Sequence, residues 1–419
     1  MADVEPLRAL HYDLERTGGL QDVVAPPYDV IDADERVELE ARSPYNVVRI
    51  DLPVGDDPYE TAARQFTSWR SDGVIVRDEK PALWALEQDY TGPDGQIRKR
   101  QGFLARVRVE EYGPGRIRPH ERTHPGPKED RLRLTRATKA NLSPIFSLFD
   151  DPANTVSGVL DQATTGEPWG RATDEDGTVN RVWRIADPNA VGAITDALTA
   201  TELLIADGHH RYETARVYAE EIGGEGPQRY VLMCLVSLED PGLTVFPTHR
   251  LLRDLRPGQQ EALAQAIRRD FEIRRLDNTT ELAPLYGQPV SMGYIDAHSR
   301  QPFMLTLKDQ AIANAALANH GEPYRRLDTA VLEALILKGA LGMTDDDIDH
   351  LNGLGYARNF DEALEAVMTG GYDAAFFVAA TPIEQVREVA AAGESMPPKS
   401  TYFFPKVPTG LLFNPLDDD

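Results

Sequence analysis

The sequence predicts a mixed α/β or α+β fold in two domains, on three observations. The chain has 419 residues, more than one core organises at roughly 100–200 residues per domain. Stretches with helical spacing alternate with β-rich runs along the whole length. One pair of runs is joined by a tight turn, which makes an antiparallel hairpin and argues against a single doubly wound sheet. The expected regions are 1–255, which bears most of the motifs, and 256–419, a C-terminal α/β region whose tail, 396–416, packs back on the core.

The elements follow in order. Val47–Asp51 is a short β-branched run. Pro58–Arg70 places Ala62, Ala63, Phe66 and Trp69 on one helical face. Ala82–Tyr90 and Gln101–Val109 alternate apolar and polar residues, and Thr91-Gly92-Pro93-Asp94-Gly95 turns the chain between them. Gly113–Asp130 is rich in proline and lacks apolar periodicity, which predicts a long irregular loop of the functional type. Ser143–Phe149 is a buried strand, and Asp150–Gly177 is polar, with a turn at its end. Thr178–Ile185 is a strand and Pro188–Thr199 a helix. Leu203–Ala206 is a strand, Tyr212–Glu221 a helix and Arg229–Val236 a strand. Beyond Arg256-Pro257-Gly258 come a helix to about Arg269, strands near 271–275, 290–295, 303–307 and 374–380, and helices over 327–337, 361–368 and 383–391. No internal repeat or low-complexity tract interrupts them.

Composition narrows the function. Asp and Glu number 68 against 44 Lys and Arg, a formal charge of −24. So acidic a surface repels phosphate backbones and anionic membranes at long range, which argues against a nucleic-acid polymer as partner and leaves room for a local pocket for one small anion. Only eight of the basic residues are lysines, so the position of each is informative. The lone cysteine, Cys234, excludes an intrachain disulfide and reads as a buried core thiol. The longest apolar runs, about seven residues, fall short of the roughly 20 a membrane helix needs. The N-terminal residues lack a basic-then-apolar signal pattern. A soluble cytoplasmic protein is expected; its oligomeric state is not legible.

Four segments carry chemistry. In Leu203–Ala215 an apolar strand runs into Asp207-Gly208-His209-His210-Arg211 and then a helix. Free N–H groups and the positive dipole end of that helix, a glycine that lets an anion approach, and donors from His209, His210 and Arg211 are what a phosphate site needs. The alternative is a helix capped by Asp207 with surface histidines. Neither G-x-x-x-x-G-K-S/T nor G-x-G-x-x-G occurs. The second segment, Arg116–Arg131, concentrates Arg116, Arg118, Arg122, Lys128 and Arg131 with His120, Glu121 and His124. It predicts a basic loop that grips phosphate beside a general base, and it should face the helix start at His209. A metal set from His120, Glu121 and His124 is the looser reading. In the third, Ala25-Pro26-Pro27-Tyr28-Asp29-Val30-Ile31 either fixes a loop presenting Tyr28 and Asp29 or leads to a helix capped by Asp32. The fourth, Met396–Lys406, holds Lys399 and Lys406 and reads as an ordered tail packing its aromatics.

Together, Ala-Pro-Pro-Tyr-Asp-Val-Ile, Pro-His-Glu-Arg-Thr, Asp-Gly-His-His-Arg-Tyr-Glu-Thr-Ala and Met-Pro-Pro-Lys-Ser-Thr-Tyr-Phe-Phe-Pro-Lys resemble, in order and across the chain, the prokaryotic family of unknown function DUF1015. The Asp-Gly-His-His-Arg-Tyr stretch also resembles the nucleotide-contacting element of the ParB, sulfiredoxin and free-serine-kinase superfamily. That resemblance implies a ParB/sulfiredoxin-like core with an additional domain, and phosphate or nucleotide contacts from Asp207, Gly208, His209, His210 and Arg211. Sulfiredoxin's catalytic Cys falls at His209, so sulfinic-acid reduction is excluded, and ParB's DNA-binding helices have no counterpart. The serine-kinase branch implies a nucleotide-dependent phosphotransferase acting on a small polar metabolite such as a hydroxy amino acid. Glu121 is the first candidate base and Asp29 the second, with His209 and His210 as further catalytic candidates. Arg118, His120, Arg122, Lys128, Arg131 and Lys399 join the phosphate-binding set. The donor would be ATP, ADP or CTP, with Mg2+ as its companion and Asp207 the one ligand to offer. The rival readings are a non-catalytic nucleotide sensor and a phosphatase of small phospho-metabolites using His209 or His210.

Overall fold

The computed structural model describes residues 2–93, 95–121 and 125–417. The fold is mixed α/β, and the chain divides into two compact units. The first comprises residues 1–119, 123–244 and 405–419, and the second 120–122 and 245–404.

The first unit is built on a nine-stranded sheet. In chain order its elements are strands β1 (Val4–Glu5) and β2 (Leu10–Tyr12), helices α1 (Leu14–Thr17), α2 (Ala33–Arg42), α3 (Val48–Asp51) and α4 (Pro58–Ser71), and strands β3 (Ile75–Arg77), β4 (Leu83–Thr91), β5 (Ile97–Arg108) and β6 (Ile117–Arg118). There follow α5 (Pro125–Thr138), β7 (Ala140–Asn141), β8 (Ile145–Phe149), α6 (Thr155–Ala163), β9 (Gly170–Thr173), β10 (Val179–Ile185), α7 (Pro188–Leu198), β11 (Leu203–Asp207), α8 (His209–Ile222) and β12 (Tyr230–Ser237). Sheet order is β6-β11-β8-β12-β5-β4-β10-β9, with β1 on β5. The β4–β5 hairpin is antiparallel, with Trp84 opposite Leu104. β12 runs parallel to β8 and β11 antiparallel to it, with a register break between Ile205 and Asp207. Phe103, Ile145, Met233 and Ile205 form a core with Leu160, Ile194, Leu198 and Tyr212 from the helices.

Several expected elements change identity. Val47–Asp51 forms no strand: Val48–Asp51 is a helical turn, because the Asn46 side chain accepts from the Val48 N–H (3.0 Å) while donating to the carbonyls of Asp22 and Val24. The loop expected over Gly113–Asp130 holds β6 and the start of α5; prolines 125 and 127 fall in the first helical turn, where a missing N–H costs nothing. The polar stretch after Asp150 contains α6, whose Val156 and Leu160, four residues apart, are both buried.

The second unit centres on a six-stranded antiparallel sheet, ordered Phe271–Arg275, Phe303–Leu307, Ser291–Asp296, Ala374–Phe377, His249–Leu252, Leu354–Ala357. Leu251, Ile295, Ala375 and Phe377 pack under Ala363 and Val367 of the helix Phe360–Met368. No helix among the described residues is long and apolar enough to cross a membrane.

Candidate functional site

β11 carries the apolar residues Leu203 to Ala206 into the sheet and ends at Asp207. Gly208 then adopts φ 94°, a left-handed conformation that side chains rarely tolerate, and α8 starts at His209. Steric space matters as much as the dihedral. A Cβ on Gly208 would stand 2.9 Å from Nε of Arg211, because that side chain curls back over the glycine. The free space expected there for an anion is therefore covered by the protein's own guanidinium.

Arg211 is held on several sides. Its Nη2 donates to Asp207 Oδ2 at 2.9 Å, and its Nη1 donates to Ser143 Oγ at 2.6 Å and to the Pro144 carbonyl. Nε is buried with no hydrogen-bond partner. The other oxygen of Asp207 accepts from Lys406 Nζ at 2.8 Å. Burial alone would push the Asp207 carboxyl up, but Lys406 and Arg211 more than offset it and hold the group well below the usual carboxylate range. Asp207 is thus a doubly paired anion, not a proton carrier. Among the described residues no three His, Cys, Asp or Glu side chains converge as a metal centre requires.

Lys406 arrives on a strap that follows the second unit in sequence. Thr409 of that strap exchanges two backbone hydrogen bonds with Ala25 (2.8 and 3.1 Å), and its hydroxyl donates to Ser143 Oγ at 3.0 Å. The same strap pairs Phe413 with Leu10 and Asn414 with Asn141. The Pro26-Pro27 loop is pinned beside it and presents Tyr28, while Asp29 is exposed and Asp32 caps α2, accepting from Asp34 and Glu35 N–H at 2.9 Å.

Beside Arg211 lies a second buried ion group. Arg131, from α5, donates through Nη1 to the Asp51 carbonyl (2.8 Å) and to Asp51 Oδ1 (3.1 Å). Its Nη2 meets Asp130 at 2.6 Å, and its guanidinium lies 4.2 Å from the centre of the Tyr28 ring. The Arg131 and Asp51 side chains are each only 6% exposed. Burial pushes the Asp51 carboxyl up, against Arg131 and Arg211, and pushes the Tyr28 phenol up to about 12. Asp51 Oδ2 has no partner. Tyr28, Asp51, Arg131, Ser143, Arg211 and Thr214 border a cavity of about 40 Å³ open to the surface.

Of the residues expected from sequence, Asp207, Gly208, Arg211 and Arg131 share this site, and His209 and His210 form the first turn of α8 beside it, His209 buried and His210 half-buried. The Lys128 carbonyl accepts from the Thr214 hydroxyl at 3.5 Å, so the start of α5 runs along α8. Arg118, on β6, pairs with Glu202 at 2.9 Å. His120, Glu121 and Lys399 belong to the second unit, where the buried His120 meets the Thr401 hydroxyl at 2.8 Å and Lys399 is exposed at φ 56°. Arg122 and His124 lie outside the described residues. Sequence reasoning missed Asp51, Ser143 and the role of Lys406. The scarcity of lysine marked Lys406; nothing local marked Asp51.

Among solved structures the chain is similar to a free serine kinase variant in complex with AMP, at 13% identity over 68% of this chain and 83% of that one, with TM-score 0.37. It is also similar to a truncated SbnI from Staphylococcus aureus (12% identity, 75% and 90% covered, TM-score 0.38) and to a conserved hypothetical protein from Pyrococcus furiosus (15%, 70% and 89%, TM-score 0.36). No protein with a curated description matches it. The model of the family "Protein of unknown function (DUF1015)" matches residues 4–330, well over half of the chain, and the chain belongs to that family.

Proposed function

We propose that the first unit binds the phosphates of a nucleotide where β11 meets α8 and passes a phosphoryl group to a small polar metabolite, a hydroxy amino acid being one such acceptor. One observation carries this reading. In a chain of formal charge −24, three mostly buried cations, Arg131, Arg211 and Lys406, gather with two mostly buried carboxylates, Asp51 and Asp207, and the half-exposed Asp130. That concentration of buried cations, at the positive end of a helix dipole, supports the binding of an anion. Phosphoryl transfer asks a protein chiefly for position and electrostatics, and a water-poor cluster of guanidinium and ammonium groups supplies both. The donor would be ATP, ADP or CTP and the product the nucleotide with one phosphate fewer, with Mg2+ brought by the nucleotide.

A second reading, a nucleotide sensor that does no chemistry, draws on Arg211. It covers Gly208 and ties Asp207 to Ser143, so a phosphate that recruits it would loosen the strap that Thr409 fastens to Ser143. Calorimetry with ATP, ADP and CTP tests binding, and 31P NMR with serine, threonine and glycerol as acceptors tests transfer. Arg211→Ala should weaken nucleotide binding roughly ten- to a hundred-fold, the worth of a charge-assisted hydrogen bond at about 1.5–3 kcal/mol. Unaltered affinity in a variant that melts normally removes the site from consideration. Binding without transfer selects the sensor.

A further inference from the structure

The six-stranded sheet of the second unit ends on one side at Phe271–Arg275 and on the other at Leu354–Ala357. The two edges differ. Leu354, Gly355 and Ala357 are buried, whereas Glu272, Ile273, Arg274 and Arg275 are all exposed, Ile273 by 45%. The outer strand β9 of the first unit is closed by a side chain, because Gln21 bonds both the N–H and the carbonyl of Thr173, at 2.8 and 2.9 Å. Among the described residues no side chain closes Ile273 or Arg275 in that way. An open edge is a template for another strand.

Register decides which backbone groups that edge offers. Phe271–Arg275 runs antiparallel to Phe303–Leu307, with Phe271 opposite Leu307 and Arg275 opposite Phe303. In the same register the Lys308 N–H donates to the Asp270 carbonyl and the Leu276 N–H to the Pro302 carbonyl, both at 3.0 Å. Hydrogen-bonded pairs alternate along an antiparallel ladder, so the even-numbered residues bond inward and Phe271, Ile273 and Arg275 direct their groups outward. The Phe271 N–H is already taken by the Ile267 carbonyl, at the end of the helix Pro257–Asp270. The Phe271 carbonyl and both groups of Ile273 and Arg275 remain.

A second copy of this strand, antiparallel to the first, can use those groups only with odd-numbered residues opposite odd-numbered ones. Three such registers overlap by three residues or more. Centred on Glu272, the pairing sets Glu272 against Glu272; centred on Arg274, it sets Arg274 against Arg274. Like charges directly opposite destabilise a strand pair. Centred on Ile273, it sets each Glu272 against the Arg274 of the other copy and brings the two exposed Ile273 side chains together. Charges on an edge strand ordinarily prevent pairing; this sequence of signs admits one register with itself. Within its own chain Arg274 has only Glu281, 3.9 Å away, and both are exposed, a pair too loose to hold it back.

We propose that Phe271–Arg275 is a self-association edge, on which two copies of the chain pair antiparallel about a two-fold axis through Ile273 and join their six-stranded sheets into one. Four backbone hydrogen bonds link the copies: two between the Ile273 residues, and one from each Arg275 N–H to the Phe271 carbonyl opposite. The contact is isologous, so it closes at a dimer. Two five-residue strands cover less than the roughly 1,200 Å² of a durable interface, which makes the dimer reversible and dependent on concentration. The pairing is independent of the nucleotide reading above.

Sedimentation velocity of the full chain over a wide range of concentration is the test. The parent should pass from monomer to dimer as concentration rises. Glu272→Arg and Arg274→Glu each set like charges opposite one another and should weaken association at least about tenfold, because two-fold symmetry makes each change count twice. The double variant Glu272→Arg/Arg274→Glu reverses both signs and should restore association to within about threefold of the parent. Both positions are exposed, so melting temperatures should stay near the parent's. Ile273→Cys should give a disulfide-linked dimer with copper phenanthroline, since Cα atoms of a hydrogen-bonded pair lie about 5.5 Å apart, within the roughly 4.4–6.8 Å that a disulfide spans. The buried Cys234 does not compete. A parent that stays monomeric at every concentration overturns the assignment and leaves the edge to a foreign strand. A dimer that both single variants retain, a double variant no better than the singles, or a dimeric Ile273→Cys chain that does not cross-link overturns it equally.

Discussion

Replacing Lys406 with Met should expose how the Asp207 cluster is held together. The substitution keeps most of the side-chain length and removes the ammonium that donates to Asp207 Oδ1 at 2.8 Å. Breaking a fully buried ion pair costs about 3–5 kcal/mol. That ceiling does not apply, because Arg211 still faces Asp207 and the Lys406 and Asp207 side chains are 14% and 18% exposed. Losing one charge-assisted hydrogen bond is the better measure, about 1.5–3 kcal/mol. For a domain of about 150–250 residues each kcal/mol moves the melting temperature by roughly 2–4 °C, so a loss of about 2 kcal/mol lowers it by about 4–8 °C. The pH dependence has a definite sign. Asp207 has a depressed pKa in the folded protein, so its stabilisation is complete above the unfolded value near 3.9 and is lost as pH falls below that, toward the folded value. The gap between parent and Lys406→Met should therefore be full at neutral pH, start to narrow only below about pH 4, and close as pH approaches the depressed folded value, where Asp207 protonates and the pair loses its charge. Urea titrations of parent, Lys406→Met, Asp207→Asn and the double variant, at pH 7 and pH 3.5, measure this. Effects that add to within about 0.5 kcal/mol at pH 7 would refute the coupling, as would a gap that widens in acid.

Gly208→Ala should destabilise the first unit by about 1–2 kcal/mol from the left-handed backbone alone, and displacement of Arg211 adds to that; thermal melts and the affinity for ADP should fall together. Cys234 is fully buried on β12 and burial pushes its thiol up to about 12, so iodoacetamide at pH 8 should leave it unmodified in the folded protein and label it in urea. His249 is buried in the second unit and accepts from the Val378 N–H at 3.3 Å; burial, with Arg250 beside it, lowers its pKa to about 4. The unfolded chain binds that proton near pH 6.5, so this residue costs stability as pH falls from about 6.5 to 4, by a few kcal/mol in all, and NMR titration of its ring should show no transition above pH 5.

What the sequence disclosed depended on how local each signal was. The β4–β5 hairpin was legible because alternation and a Gly-Pro-Asp-Gly turn sit within one stretch. The β11–Gly208–α8 junction was legible for the same reason: an apolar run, a glycine and a helical face are adjacent. Asp51 was not, because its meaning comes from Arg131, 80 positions away. Its own neighbours, Val47, Val48 and Ile50, suggested a strand until the Asn46 side chain turned the backbone into a helix. Arg211 reads by type as a phosphate ligand, whereas the structure turns it inward onto Asp207 and Ser143. Charge identity is local information, whereas pairing is settled by tertiary contact. The segment Arg116–Arg131 showed the opposite failure: a high density of cations suggested one loop, but Arg118 answers to Glu202 and Arg131 to Asp51.

The strap that brings Lys406 to Asp207 has a consequence for synthesis on the ribosome. The sheet of the first unit is complete in the nascent chain once Ser237 has emerged, but its ammonium group and the Thr409 clasp come only after residues 245–404 have been made. At about 5–20 residues per second that delay is on the order of ten seconds. During it the Ala25 edge, the Ser143 hydroxyl and the Asp207 carboxylate stand without their strap partners. The interval is an opening for premature pairing with other chains, and for degradation of products whose synthesis stops early. A ribosome stalled near residue 400 should display a first unit that chymotrypsin cuts readily after Tyr28, and release of the remaining residues should protect that bond.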